Sequence, residues 1–451
     1  MSPTIQATRG FSASGNVTAL VHVSGKLAIL SVTSSFRKSQ LASVRTLFFT
    51  MFLVCSLCVP SASAVLFQSK PATLAKSGLT FRPTDPLNEE AFDAFYNLDY
   101  DRSIQDFQKI VDRHPDDAFA INHLITALIF AELNRMGALN TGEYSNDSFV
   151  SQGHRPADPK AKERIKQLID RALKLEDARL EQNSKDVDAL YARGVTRGQF
   201  ALYTALVERA WFSALRNAVG ARHDHERVLE LSPDYVDAKL IVGSHNYVMG
   251  SLPWGVKVAV SLVGLSGSKE KGIQYLYDAA HAPGETSIDS KIALLVFLRR
   301  EHRFDEALAL VRELQPRYPK NYLLLLEEGN LERSRGHAQQ AADIYRKVME
   351  QGRAGKYVKG QHYEIAAIAL GDLLRSTKDF TGAAAAYDQV SQIDQPDPEL
   401  AQRANLGSGE MYDLLKQRDQ AVHRYQAVIA LNSSTPPAET ARRRLQEPFR
   451  E

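Results

Sequence analysis

A spaced set of small and aromatic residues recurs three times in the C-terminal half of the chain. The first set is Gly329, Ala341, Tyr345 and Val348, and the same residue types return with unchanged spacing as Gly371, Ala383, Tyr387 and Val390 and as Gly409, Ala421, Tyr425 and Val428. Repetition over a few tens of residues is the signature of stacked supersecondary units, each of which buries its apolar face against its neighbours. We therefore expect an extended array and no single central core.

Each copy reads as two amphipathic helices separated by a short turn, which Gly336 marks in the first copy. We expect the recurring glycine to let the first helix approach its neighbour, the alanine to lie where the two helices cross, and the tyrosine to fill the gap beyond. The spacing resembles the tetratricopeptide repeat, in which an alanine, an aromatic and a small apolar residue follow a glycine at these offsets. The resemblance implies an all-α, right-handed superhelical solenoid of antiparallel helix pairs.

Weaker copies extend the array toward the N-terminus. Residues 304–319 and 272–284 fit a second helix and its closing turn, Gly243 and Gly194 mark first helices, and residues 100–115 fit an early second helix. We predict about eight helix pairs over residues 88–434. The hydrophobic fraction of 44% and the charged fraction of 24% are those of an ordinary globular protein, and 451 residues are more than one core usually organises.

Polar or proline-rich stretches flank and interrupt the predicted solenoid. Residues 65–87 read as a linker, and the turn-rich residues 140–159 read as a loop insertion ahead of a long helix. Residues 435–451 begin with Pro436 and Pro437 and read as a C-terminal capping helix. A solenoid needs a polar end of this kind to remain soluble.

Residues 1–64 read as a leader, with its core signal at 44–64. Arg45 precedes an apolar stretch over 47–59, and Ala62-Ser63-Ala64 follows, which is the pattern of a secretory signal peptide. The apolar stretch is shorter than the roughly 20 residues that span a bilayer. We expect cleavage after Ala64 and an exported protein that is periplasmic or extracellular, with association with the envelope left open. Two interpretations of residues 1–43 stay open. Either translation starts downstream of Met1, or these residues are an organelle transit peptide.

The leader also holds both cysteines and carries a net positive charge. Cleavage after Ala64 would remove Cys55 and Cys58, which excludes disulfides and thiol catalysis in the mature chain. Residues 1–64 contain five basic and no acidic residues, so the formal charge of +2 becomes −3 without them. A chain this close to neutral has no overall field for nucleic acid, and we expect no nucleic-acid partner.

A second resemblance is confined to residues 247–284. This stretch is similar to a segment of a tetratricopeptide family that includes a eukaryotic mitochondrial outer-membrane protein. The residues that carry the similarity are Ser251-Leu252-Pro253, Gly264-Leu265-Ser266-Gly267 and Ala279-Ala280. The acidic–basic pair of that family is absent after the turn, where Ser268-Lys269 stand. The resemblance implies kinship of fold and a non-enzymatic scaffold, with a place near a membrane left open.

The motifs of common catalytic and cofactor sites are absent. No GxxxxGK[ST] or GxGxxG loop is present, and Gly264–Ser268 reads as a turn between helices. His223 and His225 are two residues apart and would point in nearly opposite directions on a helix, which disfavours a shared metal ion. Asp278 and His281 are close enough on a helix to touch but lack a recognisable nucleophile. We predict no enzyme, no metal and no cofactor.

The concave groove of such a solenoid is lined mostly by first helices, so polar residues one and four places after the glycine are the predicted contacts with a partner. These residues are Ser244, Tyr247, Asn330, Arg333, Asp372, Arg375, Glu410 and Asp413. They suggest a groove that grades from basic to acidic toward the C-terminus, with a plain solvated surface as the alternative. The function predicted is a protein–protein interaction scaffold that binds a protein or peptide in this groove.

An alternative function is an envelope-associated protein that contacts membranes. The apolar residues 252–265 begin with Trp254 after a proline and could lie in a bilayer surface, although Lys257 interrupts them. The competing interpretation of this segment is a buried repeat helix.

Overall fold

The computed structural model describes residues 17–23, 26–32, 81–140, 155–252, 257 and 266–451. The predicted signal core at 44–64 and Trp254 lie outside these residues, as do most of the linker at 65–87 and most of the loop insertion at 140–159. All structural statements below concern the described residues.

Two strands form an antiparallel hairpin near the N-terminus, β1 (Val17–Val23) and β2 (Lys26–Val32), with Val17 opposite Val32. This hairpin lies ahead of the predicted solenoid, and β-branched and aliphatic residues, which favour extended backbone, dominate both of its segments.

Seventeen α-helices occupy the described residues from 81 onward, where no strand occurs. They are α1 (Leu87–Tyr96), α2 (Tyr100–Arg113), α3 (Ala118–Arg135), α4 (Pro159–Gln182), α5 (Val187–Leu206), α6 (Trp211–Leu231), α7 (Lys239–Ser251), α8 (Lys269–Ala280), α9 (Ser287–Arg300), α10 (Phe304–Leu314), α11 (Tyr322–Ser334), α12 (Ala338–Arg353), α13 (Ile365–Ser376), α14 (Phe380–Asp388), α15 (Pro398–Leu414), α16 (Arg418–Leu431) and α17 (Pro436–Gln446). Short 3₁₀ helices cover Val236–Ala238 and Gln389–Gln392. Helices that are consecutive in sequence pack on each other, which gives the tetratricopeptide-like all-α solenoid that the repeats predicted.

Local sequence sets many of the helix starts. The side chains of Asp117, Asp186 and Asp397 each accept a hydrogen bond from a backbone N–H in the first turn of the helix that follows. Thr435 does the same for α17, where Pro436 supplies the first helical residue.

The turn after the first helix of a pair is closed by a residue with left-handed backbone. Such residues follow α1, α3, α5, α9, α11, α13 and α15, and they are Leu98, Gly137, Arg209, His302, Gly336, Lys378 and Lys416. The next backbone N–H then reaches back to the helix end, as when the Asp99 N–H donates to the Ala94 carbonyl oxygen at 2.8 Å. This turn reverses the chain and sets the second helix against the first.

The first helix pair also contacts units far along the chain. The Tyr96 hydroxyl donates to Asp289 at 2.9 Å, and the Asn321 side-chain amide donates to the Tyr96 carbonyl oxygen at 2.8 Å. The backbone N–H of Lys320 donates to Asn97 at 3.0 Å. These bonds tie the turn after α1 to α9 and to the segment before α11, so the array curves back onto its own first unit.

Within the described part of the chain, none of the helices combines the length and the apolar character needed to span a membrane.

Candidate functional site

In each of the last three units, a tyrosine of the second helix packs directly over the recurring glycine of the first helix. A Cβ atom placed on Gly329, Gly371 or Gly409 would lie 2.6, 2.5 or 2.6 Å from the nearest ring carbon of the tyrosine sixteen residues on. That distance is shorter than any normal carbon–carbon contact. The pair of residue types is therefore a steric requirement, which explains why glycine and tyrosine recur at this spacing.

The same tyrosines fix polar residues of the predicted groove. The hydroxyl of Tyr345 donates to Asn330 at 2.9 Å, and that of Tyr387 donates to Asp372 at 2.7 Å. In the last unit, the Tyr425 hydroxyl donates to Asp413 at 2.8 Å. Each ring is buried, and its hydroxyl reaches past the glycine to a polar side chain one or four residues further along the first helix.

Ion pairs between adjacent units engage most of the groove charges. Arg375 pairs with Glu410 at 2.9 Å, and Asp372 pairs with Arg403 at 3.0 Å. Asn330 donates to Glu327 at 3.2 Å, and the exposed Arg333 side chain at the end of α11 hydrogen-bonds the Tyr345 hydroxyl. The predicted gradient from basic to acidic is thus replaced by pairs of opposite charge on neighbouring first helices.

Ser244 and Tyr247 do not face an open groove, so their assignment as contact residues is corrected. Both are buried, and the Tyr247 ring stacks on Phe297 while its hydroxyl donates to Glu301 at 2.8 Å. The reason lies at Gly243, where a Cβ atom would come 3.0 Å from the carbonyl oxygen of Gly272 on α8. Here the glycine brings two helix backbones together, and its neighbours are enclosed between them.

Three of the predicted groove residues converge on the C-terminal tail. The Asp413 carboxylate accepts the backbone N–H of Phe449 at 2.8 Å, and the Arg375 guanidinium lies 5.0 Å from the centre of the Phe449 ring. Arg444 covers the same ring at 4.6 Å and faces Glu410 at 3.5 Å. The repeat pattern did not indicate Phe449 or Arg444 as members of this site, because both lie beyond the repeats.

A separate polar cluster is buried between α3, α4 and α5 in the N-terminal half. The Thr196 hydroxyl lies 2.8 Å from the Asn122 Oδ1 atom and 2.6 Å from the Glu176 Oε1 atom. A hydroxyl has one proton and cannot donate to both oxygens, so a protonated Glu176 that donates to Thr196 leaves the Thr196 proton for Asn122. Burial raises the pKa of Glu176 to about 8, consistent with that protonated form.

A cavity of about 40 Å³ lies beside this cluster, where α1, α3 and α5 meet the start of α9. His123 and Glu285 pair at its wall, and both side chains are about nine-tenths buried. The volume admits one or two water molecules and no organic substrate. Residues lining it include Phe92, Phe95, Phe119, Asn122, Tyr191 and Gln199.

The histidines and carboxylates considered for chemistry have structural contacts. The buried His225 ring packs on Gly194, its Nδ1 atom lies 2.8 Å from the Ala221 carbonyl oxygen, and burial lowers its pKa to about 4. Asp278 accepts a hydrogen bond from Lys239 at 2.6 Å, and His281 contacts the Tyr277 carbonyl oxygen. Among the described residues, no group of three or more His, Cys, Asp or Glu side chains is placed to hold a metal ion.

Arg82, near the end of the predicted linker, also has a defined environment. Its guanidinium lies 4.1 Å from the centre of the Phe119 ring and 5.5 Å from that of Tyr191, and it pairs with Asp188 at 2.6 Å. The adjacent Phe81 ring stacks on Phe92 at 4.6 Å. Residues 81 and 82 therefore belong to the packed structure rather than to a linker, and isolated residues ahead of the first repeat carry no periodic signal.

Comparisons with known proteins agree with this architecture. Residues 237–391 match the model of the family Iml2/Tetratricopeptide repeat protein 39, and residues 93–117 match a tetratricopeptide repeat model. The comparison with curated proteins gave no match.

Similar solved structures are distant in sequence. The Pseudomonas aeruginosa PilF structure is 16% identical to this chain. The match covers 58% of this chain and 99% of the PilF chain, with a TM-score of 0.34. A chain of the Cut9–Hcn1 hetero-tetramer of the APC/C is 12% identical to this chain. The match covers 81% of this chain and 56% of that chain, with a TM-score of 0.40. A human IFIT1 dimer with m7Gppp-AAAA is 12% identical to this chain. The match covers 92% of this chain and 86% of the IFIT1 chain, with a TM-score of 0.38.

Repeats of this type generally form protein-interaction scaffolds, typically without catalysis, and generally bind protein partners. The helix pairs, the glycine–tyrosine signature and the two model matches together show a tetratricopeptide-like repeat fold, in which residues 237–391 are similar to the Iml2/Tetratricopeptide repeat protein 39 family.

Proposed function

We propose that this protein is an exported, non-enzymatic scaffold that binds an extended segment of a partner protein along the first helices of its C-terminal units. The observation that carries the proposal is the row of polar side chains Asn330, Asp372 and Asp413, each fixed by a buried tyrosine hydroxyl of its own unit. Side chains held in one conformation lose little entropy when they bind, which favours recognition.

The chemistry of the row suits a polypeptide. Amide and carboxylate groups alternate with guanidinium groups such as Arg375 along neighbouring helices. A peptide backbone offers both hydrogen-bond donors and acceptors, so it can use both kinds of group. Exposed Arg333 lies at one end of the row and supplies a charge for a carboxylate of the partner.

Export is the second part of the proposal and rests on the sequence of residues 44–64. A basic residue, a short apolar stretch and Ala62-Ser63-Ala64 form the pattern that a signal peptidase recognises. Sequencing the N-terminus of the mature protein tests it. A mature chain that begins at Val65 supports export, and one that retains residues 44–64 contradicts cleavage.

Charge reversal tests the binding surface. We expect Arg333→Glu to reduce at least fivefold the amount of partner that co-purifies with the protein from its native compartment, because the change repels the carboxylate that Arg333 attracts. Arg346→Glu is the matched control, since Arg346 is about half exposed on a second helix and pairs only with the neighbouring Asp343 among the ion pairs described. Equal recovery with both variants would contradict the groove assignment.

A further inference from the structure

The last five residues of the chain lie on the proposed binding surface. After α17 ends at Gln446, the backbone N–H of Phe449 donates to Asp413, and the Glu451 carboxylate lies 3.8 Å from Arg375. Asp413 and Arg375 were both predicted as partner contacts from the repeat pattern alone. The C-terminal residues of the chain therefore occupy positions that were predicted to contact a partner protein.

The contacts of Phe449 form a defined subsite. Two guanidinium groups, those of Arg375 and Arg444, lie 5.0 and 4.6 Å from the centre of its ring, within cation–π range. Glu410 pairs with both arginines, at 2.9 and 3.5 Å, and so helps to fix them beside the ring. This arrangement selects an aromatic side chain.

The Asp413 carboxylate, which accepts the backbone N–H of Phe449, is held in place as well. The Asp413 side chain is only 1% exposed and also accepts hydrogen bonds from the Tyr425 hydroxyl and from Arg418. Arg418 in turn donates to the carbonyl oxygens of Arg444 and Leu445 at 2.8 and 2.7 Å, which anchors the end of α17 beside the groove. An acceptor held in this way is ready for the N–H of an extended peptide.

The tail is held by partly exposed contacts and is not part of an apolar core. Phe449 is half-buried and does not belong to the apolar cluster of α16 and α17, while the side chains of Arg375, Arg444 and Glu451 keep 31%, 31% and 44% of their exposure. Cation–π and ion-pair contacts at exposed sites are individually weak. The tail is retained mainly by its covalent link, which gives it a high effective concentration.

We propose that residues 447–451 are a built-in occupant of the partner groove, and that the groove accepts an extended partner segment in which an aromatic residue is followed two positions later by a carboxylate. The inference rests on the proposed function and names its ligand chemistry. The tail excludes weak ligands, and a partner of this type displaces it.

A peptide of the tail tests the proposal on the full-length chain. The probe is a fluorescein-labelled synthetic peptide of residues 446–451, and its binding is followed by fluorescence anisotropy. We expect the chain with Phe449→Ala, whose own tail is weakly held, to bind the peptide at least tenfold more tightly than the wild-type chain. Adding Arg375→Ala to that variant should weaken binding at least fivefold, and a peptide with alanine in place of phenylalanine should not bind.

Phe212→Ala is the matched control, because Phe212 is 92% exposed on α6 and its removal leaves the tail in place. This variant should bind the peptide as weakly as the wild-type chain. Circular dichroism melting of each variant checks that the solenoid remains folded. Equal affinity of the wild-type and Phe449→Ala chains, or no binding by either, would overturn the proposal.

Release of the tail provides a second readout that needs no added ligand. Carboxypeptidase should remove the last residues of the Phe449→Ala chain at least fivefold faster than those of the wild-type and Phe212→Ala chains, and equal rates would overturn the docking of the tail. If the tail tests fail while Arg333→Glu still reduces partner recovery at least fivefold, the proposed function stands and only the tail inference falls.

Discussion

Replacement of Gly371 by alanine tests whether the repeat signature is a steric lock between glycine and tyrosine. An alanine Cβ atom would lie 2.5, 2.6 and 2.7 Å from three ring atoms of Tyr387. The ring is buried and its hydroxyl is held by Asp372, so it cannot move away freely. Overpacking of this kind costs about 1–3 kcal/mol, against a gain of about 1 kcal/mol from the better helix propensity of alanine.

With the strain on the Tyr387 hydrogen bond included, we expect Gly371→Ala to lower the free energy of unfolding by about 1–2 kcal/mol. Urea denaturation followed by circular dichroism measures the change. Gly220→Ala on α6 is the matched control, because the atom nearest to its new Cβ, at 3.1 Å, belongs to the flexible side chain of Arg197. That variant should be neutral or more stable by up to about 1 kcal/mol.

A double variant isolates the contact itself. Tyr387→Leu shortens the side chain over Gly371, so the cost of Gly371→Ala should be smaller in that background, with a coupling energy of about 1 kcal/mol or more. A Gly371→Ala chain as stable as wild type, or costs that simply add in the double variant, would refute the steric explanation of the repeat.

Two further predictions concern the N-terminal half. Because burial raises the pKa of Glu176 to about 8 in the folded state, the unfolded chain releases its proton near pH 4.5 while the folded chain retains it, so stability falls as pH rises from about 4.5 to 8. Glu176→Gln should remove roughly 3–5 kcal/mol of this pH dependence, measured by urea unfolding at several pH values, and an unchanged profile would contradict a protonated Glu176. Asn97→Ala leaves the Lys320 N–H without its acceptor and should cost about 1–3 kcal/mol, whereas the absence of any change in denaturation would show that the contact between distant units adds no stability.

The sequence predicted the parts of the fold that depend on residues close together in the chain. Gly371 and Tyr387 lie within one unit, and their spacing alone indicates a helix pair with a tyrosine over a glycine. In each of the last three units the tyrosine hydroxyl also reaches a predicted groove residue, which lies one place after the glycine in two units and four places after it in the last.

The unit around Gly243 shows where that reasoning failed. Sixteen residues after Gly243 the chain has Ala259, where the last three units have tyrosine. Without that ring the glycine meets the backbone near Gly272, and Tyr247 becomes buried. The missing aromatic was a readable signal that this unit packs differently.

Other features depend on contacts between residues far apart in sequence. Phe449 reaches Arg375 only through the three-dimensional course of the last helices, and Asn97 meets Lys320 only because the array curves back. The left-handed residues Leu98 and Lys378 gave no signal either, because these residue types rarely adopt that backbone conformation. Single nonlocal contacts of this kind have no periodic counterpart in the sequence.

Site-specific photocrosslinking in the native compartment would show whether a partner protein lies in the C-terminal groove. A photoreactive amino acid in place of Arg333, at the exposed end of the groove, should give a discrete adduct with one partner protein, and the same group in place of Arg346 should give none. Equal adducts at both positions, or no adduct at position 333, would contradict the account of the C-terminal groove as a partner-binding surface.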